Sequence, residues 1–332
     1  MGNFNIAVVG ATGAVGREMI KILEERNFPF NKVKFIATEK SVGKEINFFN
    51  EVIKVEKIKD GVFNDIDIAL FSIGSGPSRE IVPNAVNEGA IVIDNSNAFR
   101  MREDVPLVVP EINSEKIFEH NGIIANPNCS TIQLVMALKP IYDDYGIKRL
   151  VISTYQAVSG TGKKAIDELN NQISQYISNE DITYEVYPEQ IVFNALPHID
   201  IFMENNYTRE EMKMIRETRK ILNCPNLKIT ATAVRVPVFY GHSESVNIEL
   251  NKDIVLEELI KLLNSTEGLR VVEKYPLARM SEEIDDVMVG RIRKDESLRY
   301  GINLWIVANN LRKGAALNAV QIAEKLIAGG LK

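Results

Sequence analysis

Phe4-Asn5-Ile6-Ala7-Val8-Val9-Gly10-Ala11-Thr12-Gly13-Ala14-Val15-Gly16 decides how the rest of the chain is read. Phe4 to Val9 is a short apolar run with strand character. Glycines recur at Gly10, Gly13 and Gly16, and Met19, Ile20, Ile22 and Leu23 follow as the stripe of an amphipathic helix. Strand, glycine turn and helix in direct succession suit a dinucleotide. The glycines allow a tight turn and close backbone approach, and the helix N-terminus receives the pyrophosphate. Gly10, Thr12, Gly13, Ala14 and Val15 are therefore cofactor candidates; an incidental glycine turn is the alternative.

Moving outward, Val33 to Ala37 is a second strand with the exit Thr38-Glu39-Lys40-Ser41-Val42-Gly43-Lys44. Such folds read the ribose 2′ position there: an acid suits a free hydroxyl, a base suits a 2′-phosphate. Both Glu39 and Lys40 are present. The hydroxyls of Thr38 and Ser41 beside Lys40 favour NADP over a merely solvated loop. Ile66 to Ser72 is a third strand that runs into the glycine-rich Ile73-Gly74-Ser75-Gly76-Pro77-Ser78, a second cofactor-facing loop, so Ser72 at the strand's end and Gly74 are cofactor candidates. Ala90 to Asp94 is a fourth, ending in Asn95-Ser96-Asn97-Ala98-Phe99-Arg100. Arg100 is an anion-contact candidate or a surface ion pair. Strands alternating with helices imply a doubly wound parallel sheet.

Ala125-Asn126-Pro127-Asn128-Cys129-Ser130-Thr131-Ile132-Gln133 follows an apolar run and precedes a helical pattern. Cys129 thus falls at a strand-to-helix turn, where free N–H groups favour a thiolate. A buried structural cysteine is the alternative. Beyond it, Leu150 to Val158 is strand-like and carries Gln156 before Ser159-Gly160-Thr161-Gly162. Residues 165 to 185 are polar and mostly helical. Thr208 is an N-cap candidate with Glu211 closing a capping box, and Glu210 and Lys213 are neighbours on that helix. Leu227 to Val236 is a strand bearing Arg235. Of three histidines, only His242, in Tyr240-Gly241-His242-Ser243, sits on a turn between strands where it could act as acid or base. Ile302 to Asn310 is a strand, and the apolar helix Ala315 to Ile327 needs a surface to dock on. It is expected to return to the nucleotide domain, with Asn310 near the nicotinamide.

A chain of 332 residues suggests two domains. The net charge of -6 argues against nucleic acid or an anionic membrane as the main partner. Two cysteines cannot frame a disulfide scaffold, which suggests a reducing, cytoplasmic setting. The first strand begins almost at Met1, so no leader is expected, and no apolar run reaches the roughly 20 residues of a bilayer span. No metal site is expected.

Val9 to Gly16, Asp94 to Arg100, Asn126 to Thr131, Gln156 with Ser159 to Gly162, Arg235-Val236-Pro237 through Gly241-His242-Ser243, and Lys313-Gly314-Ala315-Ala316 occur in one order. As a set they resemble the bacterial aspartate-β-semialdehyde dehydrogenase family over essentially the whole chain. The resemblance implies an α/β fold: an N-terminal Rossmann-type parallel sheet, an α+β substrate and dimerisation domain, and a C-terminal helix returning to the nucleotide domain. Residues 1–128, with about 311–332, would bind NADP; residues 129–310 would hold substrate and supply the contact of a homodimer or tetramer. The family reversibly converts L-4-aspartyl phosphate to L-aspartate 4-semialdehyde and inorganic phosphate through a cysteine thioester. It serves lysine (through diaminopimelate), threonine, methionine and isoleucine biosynthesis. Carried onto this chain, the roles are Cys129 as nucleophile, His242 as its acid/base partner and Gln156 as the orienting residue. Arg235 would bind the α-carboxylate and Glu210 the α-amino group; Arg100, Lys213 and Asn128 would hold phosphate. Thr12 to Val15, Lys40, Ser41, Ser159, Gly160 and Asn310 would line the cofactor. The family often has arginine where this chain has Lys40, and here Glu39 precedes it. Other cysteine-dependent acyl-phosphate reductases, such as N-acetyl-γ-glutamyl-phosphate reductase, and a non-catalytic NADP sensor are the competing readings.

Overall fold

The computed structural model describes residues 4–331. The chain forms two units, Met1–Asn128 with Ala315–Lys332, and Cys129–Gly314. The first unit runs β1 (Asn5–Val9), α1 (Ala14–Glu25), β2 (Lys32–Ala37), β3 (Glu45–Phe48), β4 (Glu51–Lys54), β5 (Glu56–Lys57), β6 (Ile68–Phe71), α2 (Ser75–Asn87), β7 (Ile91–Asp94), α3 (Pro110–Asn113) and β8 (Ile123–Ala125). The second runs α4 (Cys129–Tyr145), β9 (Ile147–Gln156), α5 (Lys163–Ile177), α6 (Arg209–Ile221), β10 (Lys228–Arg235), β11 (His242–Leu250), α7 (Leu256–Ser265), β12 (Leu269–Val271), β13 (Val287–Lys294) and β14 (Gly301–Ala308). The last helix, α8 (Leu317–Ala328), belongs to the first unit.

The first unit holds a six-stranded parallel sheet in the order β5-β2-β1-β6-β7-β8. Its strands are short apolar runs because both faces are covered. All four residues of β6 are buried. The α1 stripe Met19, Ile20, Ile22 and Leu23 shares one core with Ile6, Val8, Leu70 and Ile93, and with Leu317, Val320, Ile322, Ala323 and Leu326 of α8. So the apolar last helix docks in the nucleotide unit, as its composition requires. Register aligns the strand ends: Val9 lies beside Ile36 and Phe71, Phe71 beside Asp94, and Asp94 beside Ala125. Gly10, Thr38, Ser72, Asn95 and Asn126 therefore follow on one rim, the carboxyl rim where ligands bind in such sheets.

The second unit holds a mixed six-stranded sheet in the order β10-β9-β11-β14-β13-β12. Helix α4 packs on β9, β11, β13 and β14, and α6 packs on β10 and α4. Along β11, His242, Glu244, Val246, Ile248 and Leu250 are buried, while Ser245, Asn247 and Glu249 on the other face are half-buried. Helix α6 starts as its sequence dictates: Thr208 Oγ1 accepts from the Glu211 N–H, and Glu211 Oε2 accepts from the Thr208 N–H. The polar stretch 165–185 is helical only to Ile177. Asn179 then adopts φ 55°, and Gln175 bonds both the N–H and the hydroxyl of Thr183, which folds the chain back. Propensity extended this helix further than its local contacts allow.

Candidate active site

The glycine turn has the shape of a cradle. Gly10 adopts φ +84°, and a Cβ there would come within 2.5 Å of the Ser72 carbonyl oxygen. A Cβ on Gly16 would strike the Gly10 carbonyl. The Gly13 N–H donates to that carbonyl at 2.9 Å. Gly13 is the N-cap of α1, without a side-chain cap or an acidic residue in the first turn. The first N–H groups and the helix dipole thus face outward with no built-in anion. These features fit a pyrophosphate. Thr12 Oγ1 donates to Ser41 Oγ at 3.1 Å, joining the turn to the β2 exit. There Ser41 is buried, while Thr38, Glu39 and Lys40 are exposed. Ser72 Oγ donates to the carbonyls of Val9 and Gly10, so it braces the turn. Gly74 is the N-cap of α2.

At the end of β7, Asp94 accepts from Ser78 Oγ, from the Ser96 N–H and, at 2.6 Å, from Ser96 Oγ. Burial raises its pKa; these hydrogen bonds and the Arg100 charge oppose the rise. The arrangement shapes the loop to Arg100. Arg100 is buried, with Nε donating to the Asn126 carbonyl at 2.9 Å and Nη2 to the Asn95 carbonyl at 2.7 Å. Its burial places it off the surface. Asn128, also buried, closes the unit just before Cys129.

In the second unit, Cys129 is the first residue of α4. Beneath α4 the sheet ends in a polar row. Arg235 pairs with Gln156 across β10 and β9, and His242 pairs with Ala308 across β11 and β14. The Ser243–Tyr155 pair sets His242 next to Gln156. Gln156 Nε2 donates to Glu210 Oε1 and to Thr154 Oγ1, both at 3.3 Å. Glu210 Oε2 lies 3.1 Å from Lys213 Nζ, which also meets Asp200 Oδ2 at 3.0 Å. Burial alone would lower the Lys213 pKa, but these two carboxylates outweigh it and raise it. Glu210 is only 5% exposed, so this pair is no ordinary surface bridge.

His242 is fully buried, and its pKa is lowered to about 3, first by burial and then by the neighbouring Arg235 charge, against Glu210. The Ala157 N–H donates to His242 Nδ1 at 3.0 Å. The Gly241 carbonyl lies near enough to favour the charged ring slightly. The hydrogen bond from Ala157 nevertheless assigns the neutral tautomer, with its proton on Nε2. Nε2 and Arg235 Nε are buried and have no hydrogen-bond partner among the described residues. Arg235 Nη1 is anchored on the Ala157 carbonyl at 2.6 Å. A Cβ on Gly160 would sit 3.2 Å from both Arg235 Nη1 and His242 Nε2, so glycine leaves room there. Asn310 exchanges hydrogen bonds with Ser159 Oγ and accepts from the Gly241 N–H at 3.0 Å, bracing the turn that carries His242.

The second unit therefore gathers Gln156, Glu210, Lys213, Arg235 and His242, with Ser159, Gly160 and Asn310 beside them. Arg100, Asn128 and the glycine turn belong to the first unit. Two residues had no role in the sequence reading. A Cβ on Gly314 would lie 2.9 Å from Cys129 Cβ. Glu244 lies one row below His242, fully buried, with no hydrogen-bond partner for either oxygen among the described residues. Its inward position follows from strand alternation anchored by Val246, Ile248 and Leu250, a pattern already present in the sequence.

A doubly wound dinucleotide unit joined to a mixed-sheet unit with a cysteine-headed helix defines a class of two-domain, nicotinamide-dependent dehydrogenases. The chain matches the semialdehyde dehydrogenase NAD-binding domain over residues 5–120 and the semialdehyde dehydrogenase dimerisation domain over residues 138–313. The aspartate-semialdehyde dehydrogenase of Aquifex aeolicus is 52% identical, covering 99% of each chain. That of Legionella pneumophila is 52% identical, covering 98% of this chain and 96% of the relative. The crystal structure of aspartate semialdehyde dehydrogenase II from Vibrio cholerae, complexed with ASA, superposes with a TM-score of 0.97 at 46% identity over 99% of each chain. This chain belongs to the aspartate-semialdehyde dehydrogenase family. Among the described residues no helix is long and apolar enough to cross a membrane.

Proposed function

We propose that this chain catalyses the reversible, NADP-dependent reductive dephosphorylation of L-4-aspartyl phosphate to L-aspartate 4-semialdehyde, in the route to lysine, threonine, methionine and isoleucine. The observation that carries the proposal is a pair of buried donors lacking acceptors, Arg235 Nε and His242 Nε2. A substrate carboxylate meets the first; the reacting carbonyl oxygen meets the second. A planar guanidinium suits a carboxylate's two oxygens. Glu210, held by Lys213 and Gln156, offers an anion to the α-amino group.

The Cys129 thiolate bonds to the acyl carbon, and the C–O bond to phosphate breaks with its electron pair leaving on phosphate. The His242 Nε2–H donates to the oxyanion of the tetrahedral adduct, in the manner of an oxyanion hole. Gln156 orients the thioester carbonyl. NADPH held on the glycine turn would supply a hydride at the acyl carbon, and NADP would accept it in the reverse direction. Collapse of the thiohemiacetal breaks the C–S bond and returns the thiolate. Arg100, Lys213 and Asn128 are assigned to phosphate. Gly10, Thr12, Gly13, Ala14, Val15, Thr38, Lys40, Ser41, Ser72, Gly74, Ser159, Gly160 and Asn310 are assigned to the cofactor. The working assembly is a homodimer joined through residues 129–310, and the cytoplasm is its location, which suits two cysteines outside any disulfide.

The test is phosphate-dependent reduction of NADP by purified protein supplied with aspartate semialdehyde. Turnover that requires phosphate and vanishes in Cys129→Ala is expected. Turnover without phosphate, or with N-acetyl-glutamate semialdehyde in preference, would overturn the assignment.

A further inference from the structure

Glu39 stands two residues beyond β2, where a dinucleotide fold reads the ribose 2′ position. A bare carboxylate there accepts from a 2′-hydroxyl and repels a 2′-phosphate, which would select NAD. Here the carboxylate is not bare. Lys57 Nζ donates to Glu39 Oε1 at 2.9 Å and to Oε2 at 2.8 Å. The contact is set by the backbone. Lys57 ends the two-residue edge strand β5, and its register partner on β2 is Ala37. The pairing delivers the ammonium to the β2 exit. The Thr12–Ser41 hydroxyl bond holds the same segment against the glycine turn. With Glu39 so paired, the other charges of the exit are the cations Lys40 and Lys44, both exposed.

We propose that Lys57 is a specificity-determining residue for the cofactor. By engaging both Glu39 oxygens it keeps them from a ribose hydroxyl and admits a 2′-phosphate. The proposal rests on NADP being the cofactor read at this exit. Lys57 acts through Glu39, so the two positions are coupled. The coupling is electrostatic and solvent-exposed, and therefore weakens with salt.

The experiment is direct calorimetric binding of NADP and of NAD to the full chain. It compares wild type, Lys57→Gln, Glu39→Gln and the double variant, at low and high ionic strength. Lys57→Gln should lower the ratio of NADP to NAD affinity about two- to fivefold at low salt, the scale of a solvent-exposed charge pair. The loss should shrink with salt and largely disappear in the Glu39→Gln background. An equal loss in both backgrounds would overturn the proposal, since Lys57 would then touch the phosphate itself. So would an unchanged ratio in Lys57→Gln. A wild type that binds NAD as tightly as NADP would instead overturn the cofactor reading; a wild type that prefers NADP but tolerates Lys57→Gln overturns only the role of Lys57.

Discussion

Replacing His242 by glutamine should make the protein more resistant to acid while abolishing turnover. Glutamine is neutral, and its Oε1 can accept the Ala157 N–H that His242 Nδ1 accepts now. The folded chain holds the imidazole neutral down to about pH 3, against the ordinary value of 6.5, because burial and then Arg235 disfavour its charge. The unfolded chain therefore binds a proton that the folded chain refuses. Stability attributable to this group is full above pH 6.5 and is lost as pH falls from there toward 3. The linkage slope for one proton is about 1.4 kcal/mol per pH unit. By pH 4.5, two units below the unfolded value, the wild type should have lost about 2.7 kcal/mol relative to His242→Gln. Urea unfolding of both proteins between pH 8 and 4.5 measures the difference. Curves that stay parallel across that range would refute the reasoning, because the imidazole would then protonate without penalty.

Glu244 should behave in the opposite sense. Burial, opposed by the nearby Gln133 amide and reinforced by Glu210, raises its carboxyl well above the usual range. Gln133 approaches without reaching hydrogen-bond geometry. The folded chain binds the extra proton, so stability falls as pH rises above the ordinary value, by about 1.4 kcal/mol per unit until the folded group ionises. Glu244→Gln should flatten that decline in melting curves from pH 6 to 9; an equal decline in both proteins contradicts it. Gly314→Ala places a methyl group 2.9 Å from Cys129 Cβ. Overpacking of this kind costs about 1–3 kcal/mol, so alkylation of Cys129 and turnover should both slow at least several-fold; unchanged rates count against close approach as the reason for glycine. Arg235→Lys loses the orphan Nε donor and the fork, so KM for the semialdehyde should rise about ten- to a hundredfold, the scale of a charged hydrogen bond. NADP binding should hold; a parallel loss of both affinities would place Arg235 elsewhere.

The first unit was legible because its information is local. Apolar runs of four to six residues, each followed by a glycine or polar exit, specify parallel strands and their rim without distant partners. The capping box at Thr208 and Glu211 is local in the same way. The site was legible as residue types, less so as states. Nothing around His242 in the sequence says that a backbone N–H from Ala157 will take Nδ1 and so fix which nitrogen faces the site. The sequence offers Glu39 and Lys40 side by side, but Lys57, which settles the charge of Glu39, sits on a two-residue strand too short to carry a pattern. The close approach of Gly314 to Cys129 likewise depends on tertiary packing.

The second sheet explains why the polar row can exist at all. Its inner face changes character row by row. At one end stand Arg235, Gln156 and His242; one row in are Ala233, Thr154 and Glu244; beyond are Ala231, Ile152 and Val246. The apolar rows let α4 bury its side chains from Ile132 to Leu138 and fix the helix on the sheet. With α4 fixed, Cys129 at its first turn is fixed as well. The end row then carries two buried donors without acceptors among the described residues, each costing about 1–3 kcal/mol. A well-packed sheet can sustain that cost, and a substrate bringing a carboxylate and a carbonyl would recover it. Binding energy and catalytic alignment thus share one origin in this chain, in donors that folding leaves unsatisfied.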